Sequence, residues 1–364
     1  MRVITFEEPG RVRVGLESPA ELEPGCVRVR TIYSGVSAGT ELTAYRGTNP
    51  YLTRKWDTEQ RLFLEGQTHA YPLTGWGYQE VGEVVEAAPD VADPPVGHLV
   101  WGIWGHRAEA VVPAEKLVGH VLPPGADPLG GVFARVGAIA LNAVHAADVH
   151  LGDQIAIFGQ GVIGLLATRL AVLSGARVVA ADAIPGRLEL SRQYGAAETF
   201  DITSGSVAEF IRKRIEGADT AIELSGSHLG LHEAIRTVRK GGRVVAGGFY
   251  QGDGIGLRLG EEFHHNQVQL VSSQIGGVAS WLSHRWDVER LQRTFMDLVH
   301  AGEIDVLSLV SHVVPVGGAA SAFDLIDKHP SEVLQLVFEF EDAPIEDSLN
   351  EESPKEDSPK EGSL

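Results

Sequence analysis

The sequence predicts an α/β fold in which a doubly wound parallel sheet accompanies a β-rich part of the chain. Three observations predict it. A glycine-rich turn joins an apolar run to a helical stretch at residues 154–171. Strand-like and helix-like segments then alternate to about residue 272, which predicts a parallel sheet with right-handed crossovers. Residues 1–130 are rich in Val, Gly and Pro, as expected for short strands separated by turns.

Length and composition place the chain among ordinary globular proteins. Its 364 residues are 43% hydrophobic and 22% charged, enough for two domains with cores of their own. We expect no apolar run of membrane-spanning length, and the first eight residues lack the layout of a signal peptide. The single cysteine, Cys26, excludes an intrachain disulfide and a zinc site built on several thiolates. A cytoplasmic protein without a membrane partner is predicted.

The negative charge is unevenly distributed. The chain carries a net charge of −19, and residues 341–364 contain nine acidic residues and two lysines. Because this segment offers almost no apolar surface to bury, we predict that it is a disordered acidic tail. The acidity of the remainder argues against nucleic acid as a partner.

Short apolar runs organise the part of the chain before the glycine-rich turn. Residues 26–30, 81–85 and 108–112 are predicted strands, punctuated by turn residues such as Glu23-Pro24-Gly25. A helix is predicted over about 133–147, leading into the next apolar run.

The glycine-rich turn carries the most specific motif of the chain. The sequence Gly159-Gln160-Gly161-Val162-Ile163-Gly164 follows a predicted strand and opens a predicted helix, the context that identifies a dinucleotide-binding fingerprint. The first glycine permits the tight turn, the second lets the backbone approach a pyrophosphate, and the third lets helix and strand pack closely. The predicted cofactor-binding residues of this turn are Gly159, Gly161, Val162, Ile163 and Gly164.

A carboxylate follows at the distance expected for ribose recognition. The next apolar run ends at Asp182, 18 residues beyond Gly164. A carboxylate there accepts hydrogen bonds from a ribose 2′-hydroxyl and repels a 2′-phosphate, so NAD is predicted in preference to NADP.

The second half of the predicted sheet continues the alternation. We expect strands at 220–224, 241–248 and 268–272 and a helix at 231–239. Ser225 follows the first of these strands and Gly247 lies at the end of the second, and both are predicted to line the cofactor site. A stripe from Val288 to Val299 at helical spacing is predicted to be a packing face, and 334–340 a final strand.

Taken together, these segments resemble the medium-chain dehydrogenase/reductase superfamily, in its zinc alcohol dehydrogenase-like branch. The resemblance spans about residues 1–340. Its carriers are Gly39-Thr40-Glu41, residues 77–85, 152–164 and 182–187, Gly195-Ala196, and residues 241–248 and 311–315. Their order and spacing are specific, although each alone is weak.

The resemblance implies a domain organisation. A Rossmann domain at 151–276 would be inserted in a β-rich, GroES-like catalytic domain made from 1–150 and 277–340. Arg187 matches a position at which the family places a basic residue near the adenosine. The resemblance also implies a homo-oligomer, either a dimer or a tetramer.

The sequence departs from the family at the catalytic metal. Members with catalytic zinc carry ligands at three places, which here hold Ala38, Tyr78 and a residue near Ala134. Alanine has no donor atom and neutral tyrosine is an uncommon zinc ligand. We therefore predict a protein without a metal site.

Without zinc, other groups must bind the substrate oxygen and exchange its proton. Thr40 matches the family's hydroxyl relay position, and Tyr78 stands where a zinc ligand would approach the substrate. Gln79 could orient either of them. Glu41 is a further candidate, with a salt bridge to Arg46 as an equally supported structural alternative.

These observations favour an NAD(H)-dependent oxidoreductase that interconverts an alcohol and a ketone or aldehyde. Four tryptophans, Trp56, Trp76, Trp101 and Trp104, could line a pocket for a ring-bearing small-molecule substrate such as a sugar or cyclitol. Alternatively, they belong to the core of the β-rich part. Two other functions stay open: an NAD(P)H-dependent reductase of an activated C=C bond or quinone, and a dinucleotide-binding sensor without turnover.

Overall fold

The computed structural model describes residues 1–340 and confirms the α/β prediction. The predicted disorder of 341–364 lies outside the described residues. In chain order the strands are β1 (Arg2–Glu8), β2 (Arg11–Leu16), β3 (Cys26–Gly35), β4 (Arg54–Asp57), β5 (Leu62–Glu65), β6 (Leu73–Thr74), β7 (Glu80–Ala87), β8 (Leu99–Gly102), β9 (Glu109–Pro113), β10 (Gln154–Phe158), β11 (Arg177–Asp182), β12 (Glu198–Asp201), β13 (Ala218–Glu223), β14 (Val238–Ala246), β15 (Gln269–Ser272), β16 (Val310–Pro315) and β17 (Gln335–Glu339).

The helices fill the connections between these strands. They are α1 (Ala38–Arg46), α2 (Ala134–Ala146), α3 (Val162–Leu173), α4 (Pro185–Gln193), α5 (Val207–Arg212), α6 (His228–Thr237), α7 (Glu262–His265), α8 (Val288–His300) and α9 (Ala319–Lys328). The predicted helix over 133–147 is α2. The predicted packing stripe lies on α8, where Leu291 and Phe295 are completely buried.

The β-rich part is built from both ends of the described chain. Its largest sheet has the order β16-β17-β3-β7-β8, with β9 paired to the first half of β3. Strand β17 pairs antiparallel with the end of β3, so residues more than 300 positions apart in the sequence share one sheet. A second sheet has the order β2-β1-β6, and β4 and β5 form a separate hairpin.

The parallel sheet has the order β12-β11-β10-β13-β14-β15, with every adjacent pair parallel. This is the doubly wound order, in which the chain starts in the middle and reverses direction once. Its central strands are buried on both faces, which explains their continuous apolar runs.

Helix α2 joins the two parts of the molecule. It packs against α3 and α8, and its residues share one core with Val81 and Trp101 of the β-rich part and Ile155 of the parallel sheet. The stretch Pro128–Ala146 is long and apolar enough to cross a membrane by length and composition, contrary to our expectation for apolar runs, but 78% of it is buried inside the protein. Its apolar character therefore matches its position in a core.

Candidate active site

The carboxyl ends of the central parallel strands form the crevice expected for a dinucleotide. The strand order reverses between β10 and β13, and ligands of doubly wound sheets bind outside such a reversal. The loops that follow these two strands touch: a Cβ on Gly159 would lie 2.6 Å from the backbone nitrogen of Ser225. Two predicted cofactor residues thus meet at this point.

The glycine turn has little room for side chains. Gly159 has a φ of +83°, in the left-handed region that favours glycine, and a Cβ on Gly164 would lie 1.8 Å from the carbonyl oxygen of Gly159. Gly161 differs, because the nearest atom to its added Cβ is an Arg187 guanidinium nitrogen 4.0 Å away. Gly159 and Gly164 are therefore required by the fold, while the space beside Gly161 is open to a ligand.

Helix α3 begins directly beyond Gly161. Val162, Ile163 and Gly164 form its first turn, where backbone N–H groups have no intrahelical acceptor. These N–H groups and the partial positive charge of the helix N-terminus provide a binding site for phosphate groups.

Asp182 ends β11 and is held by the backbone. Its Oδ2 accepts a hydrogen bond from Gln160 N (2.6 Å) and its Oδ1 from Ile184 N (2.8 Å), and the residue is only 7% exposed. The carboxylate is thereby fixed beside the glycine turn, as ribose recognition requires.

Arg187, predicted to lie near the adenosine, spans from α4 to the return segment of the β-rich part. Its Nη2 donates to the carbonyl oxygens of Pro330 (2.9 Å) and Val333 (3.2 Å). Its guanidinium thus lies beside the glycine turn, but its hydrogen bonds go to backbone carbonyls.

Glu223, at the end of β13, organises the remaining predicted cofactor loops. The buried carboxylate accepts hydrogen bonds from Ser225 N (2.8 Å), Gly226 N (3.2 Å) and the hydroxyls of Ser225 and Tyr250. Its backbone oxygen accepts from Gly247 N (2.9 Å). Burial raises the pKa of Glu223, and these hydrogen bonds oppose that effect.

Three hydroxyl groups cluster in the β-rich part. The Tyr78 hydroxyl donates to Thr40 Oγ1 (3.3 Å) and makes a close hydrogen bond with Ser37 Oγ. Burial raises the pKa of Tyr78, while its hydrogen bonds with Ser37 and Thr40 lower it. The tyrosine is therefore neutral near pH 7 and acts as a hydrogen-bond donor. The structure thus brings together the two predicted hydroxyls, Thr40 and Tyr78.

A hydrogen-bonded network of buried polar side chains holds this hydroxyl cluster. Glu41 Oε1 accepts from Ser37 N (2.8 Å), and Glu41 Oε2 lies 2.6 Å from His106 Nε2. His106 Nδ1 lies 2.5 Å from Ser34 Oγ, which donates to Glu80 Oε1 (3.1 Å). With the serine donating to Glu80, His106 Nδ1 donates to Ser34 Oγ, and a protonated ring would also donate from Nε2 to Glu41.

The pKa shifts of His106 and Glu80 follow from burial and from the neighbouring charges. Desolvation lowers the pKa of His106, but the charge of Glu41, its hydrogen bond and the charge of Glu80 together raise that pKa above its ordinary value. Burial raises the pKa of Glu80, opposed by His106. The salt-bridge alternative between Glu41 and Arg46 is wrong: Arg46 pairs with Asp327 at 2.5 Å, because Glu41 points inward to His106.

Gln79 belongs to the scaffold of the cluster. With its amide oriented to satisfy both groups, the nitrogen donates to the Val132 carbonyl oxygen (3.2 Å) and the oxygen accepts from Ser37 N (3.2 Å). It thereby ties the segment carrying Tyr78 to α1 and to the turn that precedes α2.

The residues at the family's three zinc-ligand places do not fit a zinc ion. Ala38 and Ala134 have no donor atoms, and the hydroxyl of Tyr78 is engaged with its two neighbours. Arg135, the residue after Ala134, brings a positive charge that interacts with Tyr78. A cation and a hydrogen-bonded neutral phenol are poor surroundings for Zn²⁺.

One other group in residues 1–340 has metal-site spacing: ligand atoms of His232, Glu261 and Glu262 lie within 4.8 Å of one another. Arg258 donates to His232 Nε2 (3.0 Å), and Arg236 pairs with Glu262 at 3.2 Å. These arginines already neutralise the cluster.

Of the four tryptophans considered for a pocket, two are buried in the core and two are half-buried. Trp101 and Trp104 are buried, and Trp104 donates to Thr31 Oγ1 (2.8 Å), so the core reading holds for both. Trp56 packs on Phe63 in the β4–β5 hairpin, and Trp76 lies edge-on to Phe6. A cavity of about 320 Å³ lies against Trp104 and Arg28, away from the hydroxyl cluster.

Sequence reasoning missed several residues that hold these sites, among them Ser37, Glu80, His106, Gln160 and Glu223. Gln160 is fully buried, and its Oε1 accepts from Thr168 and Ser191, each at 3.0 Å. Because Gln160 lies inside the glycine motif, the sequence held a signal that could have identified it. Ser37 and Glu80 adjoin predicted residues, whereas His106 had no local signal.

Comparison with known proteins agrees with this geometry. The family model for zinc-binding dehydrogenases matches residues 162–290. The chain is 30% identical over 303 residues to L-threonine 3-dehydrogenase of Streptomyces avermitilis, covering 74% of this chain and 80% of that protein. It is 26% identical to D-guloside 3-dehydrogenase of Escherichia coli (strain K12), over 86% of this chain and 93% of that protein. The NADP-bound crystal structure of a zinc-binding dehydrogenase from Sinorhizobium meliloti 1021 gives a TM-score of 0.75 at 22% identity. The match covers 93% of this chain and 99% of that one.

Proposed function

The chain belongs to the medium-chain dehydrogenase/reductase superfamily and is an oxidoreductase of the alcohol dehydrogenase-like type, and from this premise we propose a more specific function. It is a zinc-independent, NAD(H)-dependent enzyme that interconverts an alcohol and a ketone or aldehyde. The observation that supports this proposal is the hydroxyl cluster of Tyr78, Ser37 and Thr40, since Tyr78 stands at one of the sequence positions that hold zinc ligands in the family.

The cofactor assignment rests on the crevice at the sheet reversal. The N–H groups of Val162, Ile163 and Gly164 would bind the pyrophosphate, and Asp182 the adenosine ribose. Arg187 softens the preference for NAD without reversing it, because its Nη2 is held by the carbonyls of Pro330 and Val333 while its charge remains. A 2′-phosphate would still meet the carboxylate of Asp182, although the related Sinorhizobium structure contains NADP.

The nicotinamide, when bound, would supply hydride transfer, and the hydroxyl cluster would donate and accept the proton. Because Tyr78 stays neutral, its O–H can donate to a carbonyl oxygen that gains negative charge as hydride arrives. Ser37, in close contact with Tyr78, can return a proton to the phenol. In the oxidation direction the alcohol proton leaves through the same hydroxyls. Thr40 Oγ1 accepts this O–H in the structure without substrate, so the phenol proton must turn from Thr40 to the substrate oxygen for the transfer.

We further propose that the substrate is a small ring-bearing polyol such as a glycoside. The similarity to D-guloside 3-dehydrogenase supports a sugar substrate. A cytoplasmic location and a dimeric or tetrameric assembly also belong to this proposal, and light scattering would test the assembly.

The test is a turnover assay on the full chain. Glycosides, alditols and simple secondary alcohols are each offered with NAD⁺ and with NADP⁺, before and after dialysis against a chelator. We expect reduced nicotinamide to form with NAD⁺ and a sugar-like alcohol, with the rate unchanged by chelation.

Two outcomes would overturn the proposal. Activity that disappears on chelation and returns with added zinc would contradict the hydroxyl mechanism. Tight NAD⁺ binding without turnover of any alcohol would also overturn it. Reduction of quinones or enones with added NADH or NADPH would then identify a reductase, and no turnover with any of these substrates would identify a sensor.

A further inference from the structure

Arg135 is a half-buried cation without a hydrogen-bond or ion-pair partner in the part of the chain that the structure describes. It is the second residue of α2 and is flanked by the buried residues Ala134 and Val136. Burial lowers the pKa of Arg135, but guanidinium stays charged in proteins. An unpaired charge held partly out of water is costly, so its retention here calls for a ligand.

The fold places this cation beside the proposed proton donor. Gln79, next to Tyr78 in the sequence, hydrogen-bonds the carbonyl of Val132, three residues before Arg135. Tyr78 packs against the core that contains Val132 and Ala134. The first turn of α2 therefore lies against the segment that carries the Tyr78 hydroxyl.

The charges around Tyr78 and Arg135 come from three helices. Arg135 of α2 lowers the pKa of Tyr78, and Glu41 of α1 raises it. Glu289 of α8 also interacts with Arg135, and its carboxylate lies 3.1 Å from His120 Nε2. Among the charged groups that act most strongly on Tyr78, Arg135 is the cation.

We propose that Arg135 is a catalytic residue that contacts the reacting substrate oxygen and supplies the positive charge that zinc supplies elsewhere in the superfamily. This inference rests on the proposed function. A guanidinium offers several N–H donors and binds an oxyanion without being consumed. It stands next to Ala134, near the third of the family's ligand places, with Tyr78 at the second.

The reaction balances with Arg135 unchanged. In oxidation, the carbinol C–H bond breaks and its hydrogen leaves as hydride to NAD⁺. The O–H proton passes to the Tyr78–Ser37 hydroxyls and on to water, and the C–O bond becomes a carbonyl. The products are the ketone or aldehyde, NADH and one proton. Arg135 stabilises the negative charge on oxygen between these states.

The test compares Arg135→Met and Arg135→Lys with the control Arg293→Met, which removes an exposed cation from the neighbouring helix α8. We expect Arg135→Met to lower kcat on the order of a hundredfold to a thousandfold, the range for losing one such donor. KM and NAD⁺ affinity by calorimetry should change little. Arg135→Lys should keep part of the rate, added guanidinium salts should restore part of it in Arg135→Met, and Arg293→Met should match the wild type.

A second readout does not depend on turnover. The ultraviolet absorbance of tyrosinate, measured as wild type minus Tyr78→Phe, reports the ionisation of Tyr78 alone. The same difference in the Arg135→Met background should shift to higher pH, because the cation that lowers the Tyr78 pKa is gone.

The outcomes separate this inference from the proposed function. Unchanged kcat in Arg135→Met, or a loss confined to KM, would overturn the role at the reacting oxygen while the alcohol dehydrogenase assignment stands. An unshifted tyrosinate curve would overturn the placement of Arg135 beside Tyr78. A wild type that oxidises no alcohol would overturn the proposed function itself, and the catalytic role with it.

Discussion

The glycine turn of the parallel sheet and the hydroxyl cluster of the β-rich part are organised in opposite ways. In the turn, backbone atoms make the decisive contacts, such as the approach of Gly164 to the Gly159 carbonyl. In the cluster, side chains make them: Tyr78 meets Ser37 and Thr40 across about forty residues of sequence. Glycines can encode backbone proximity locally, whereas the cluster depends on how three segments fold together.

The largest expected effect concerns the turn. Gly164→Ala should destabilise the protein by about 4 kcal/mol or more, at the upper end for single substitutions, because its Cβ would overlap a backbone carbonyl. NAD⁺ binding should be lost with it. Chemical denaturation and calorimetry measure the two effects.

Gly161→Ala is the matched control for that substitution. Its Cβ meets only a guanidinium nitrogen at 4.0 Å, so stability should change by less than about 1 kcal/mol while NAD⁺ affinity falls. Equal destabilisation by both alanines would contradict the assignment of Gly164 to the stability of the fold and of Gly161 to ligand binding.

The next effect lies beneath the hydroxyl cluster. His106→Leu should cost about 3 kcal/mol, because it leaves Glu41 buried without its partner. His106→Gln can still donate to Glu41 and should cost less. A leucine variant as stable as the wild type would mean that Glu41 is protonated and needs no cation.

The same pair has a pH signature. Because the pKa of His106 is raised above its ordinary value of 6.5, its protonation stabilises the folded state fully below that pH. This contribution is lost as the pH rises through the higher folded-state pKa. The stability difference between wild type and His106→Gln should therefore shrink as the pH rises above about 6.5. A difference that grows with pH would contradict the imidazolium.

Within the cluster, Tyr78→Phe should lower kcat by about tenfold to a thousandfold with NAD⁺ affinity unchanged, because the phenol no longer donates to the reacting oxygen. Thr40→Ala should act similarly, and the two losses should be less than additive if both hydroxyls form one relay. Tyr51→Phe, with no hydroxyl partner in the described residues, serves as the control. Normal turnover in Tyr78→Phe would reduce Tyr78 to a packing residue.

The smallest effect returns to the parallel sheet. The wild type should bind NAD(H) at least about tenfold tighter than NADP(H), a difference in binding free energy of about 1.4 kcal/mol or more, and Asp182→Ala should narrow that gap. Asp182→Asn, which keeps the side-chain volume, controls for the loss of the hydrogen bond to Gln160 N. Equal affinities for both cofactors in the unmutated protein would remove the role given to Asp182.

Prediction from sequence succeeded where periodicity and glycine placement constrain the backbone. The strands around the turn, helix α2 and the final strand lie within a few residues of their predicted bounds. At the hydroxyl cluster the sequence identified Thr40 and Tyr78 as a pair but assigned Glu41 an equally supported wrong partner, Arg46. His106 carried no local signal, because it reaches Glu41 from a segment 65 residues away.

The sequence by itself determined the α/β class and the dinucleotide fingerprint, and it carries the prediction of a zinc-free protein from Ala38, Tyr78 and a residue near Ala134, since these depend on residue type and local spacing. Only the tertiary structure decided which charges meet. Whether Glu41 faces a surface arginine or a buried histidine, and whether Arg135 stands beside Tyr78, depends on the packing of β3, β7 and α2. Electrostatic interactions act through space, and a single sequence does not record distances through space.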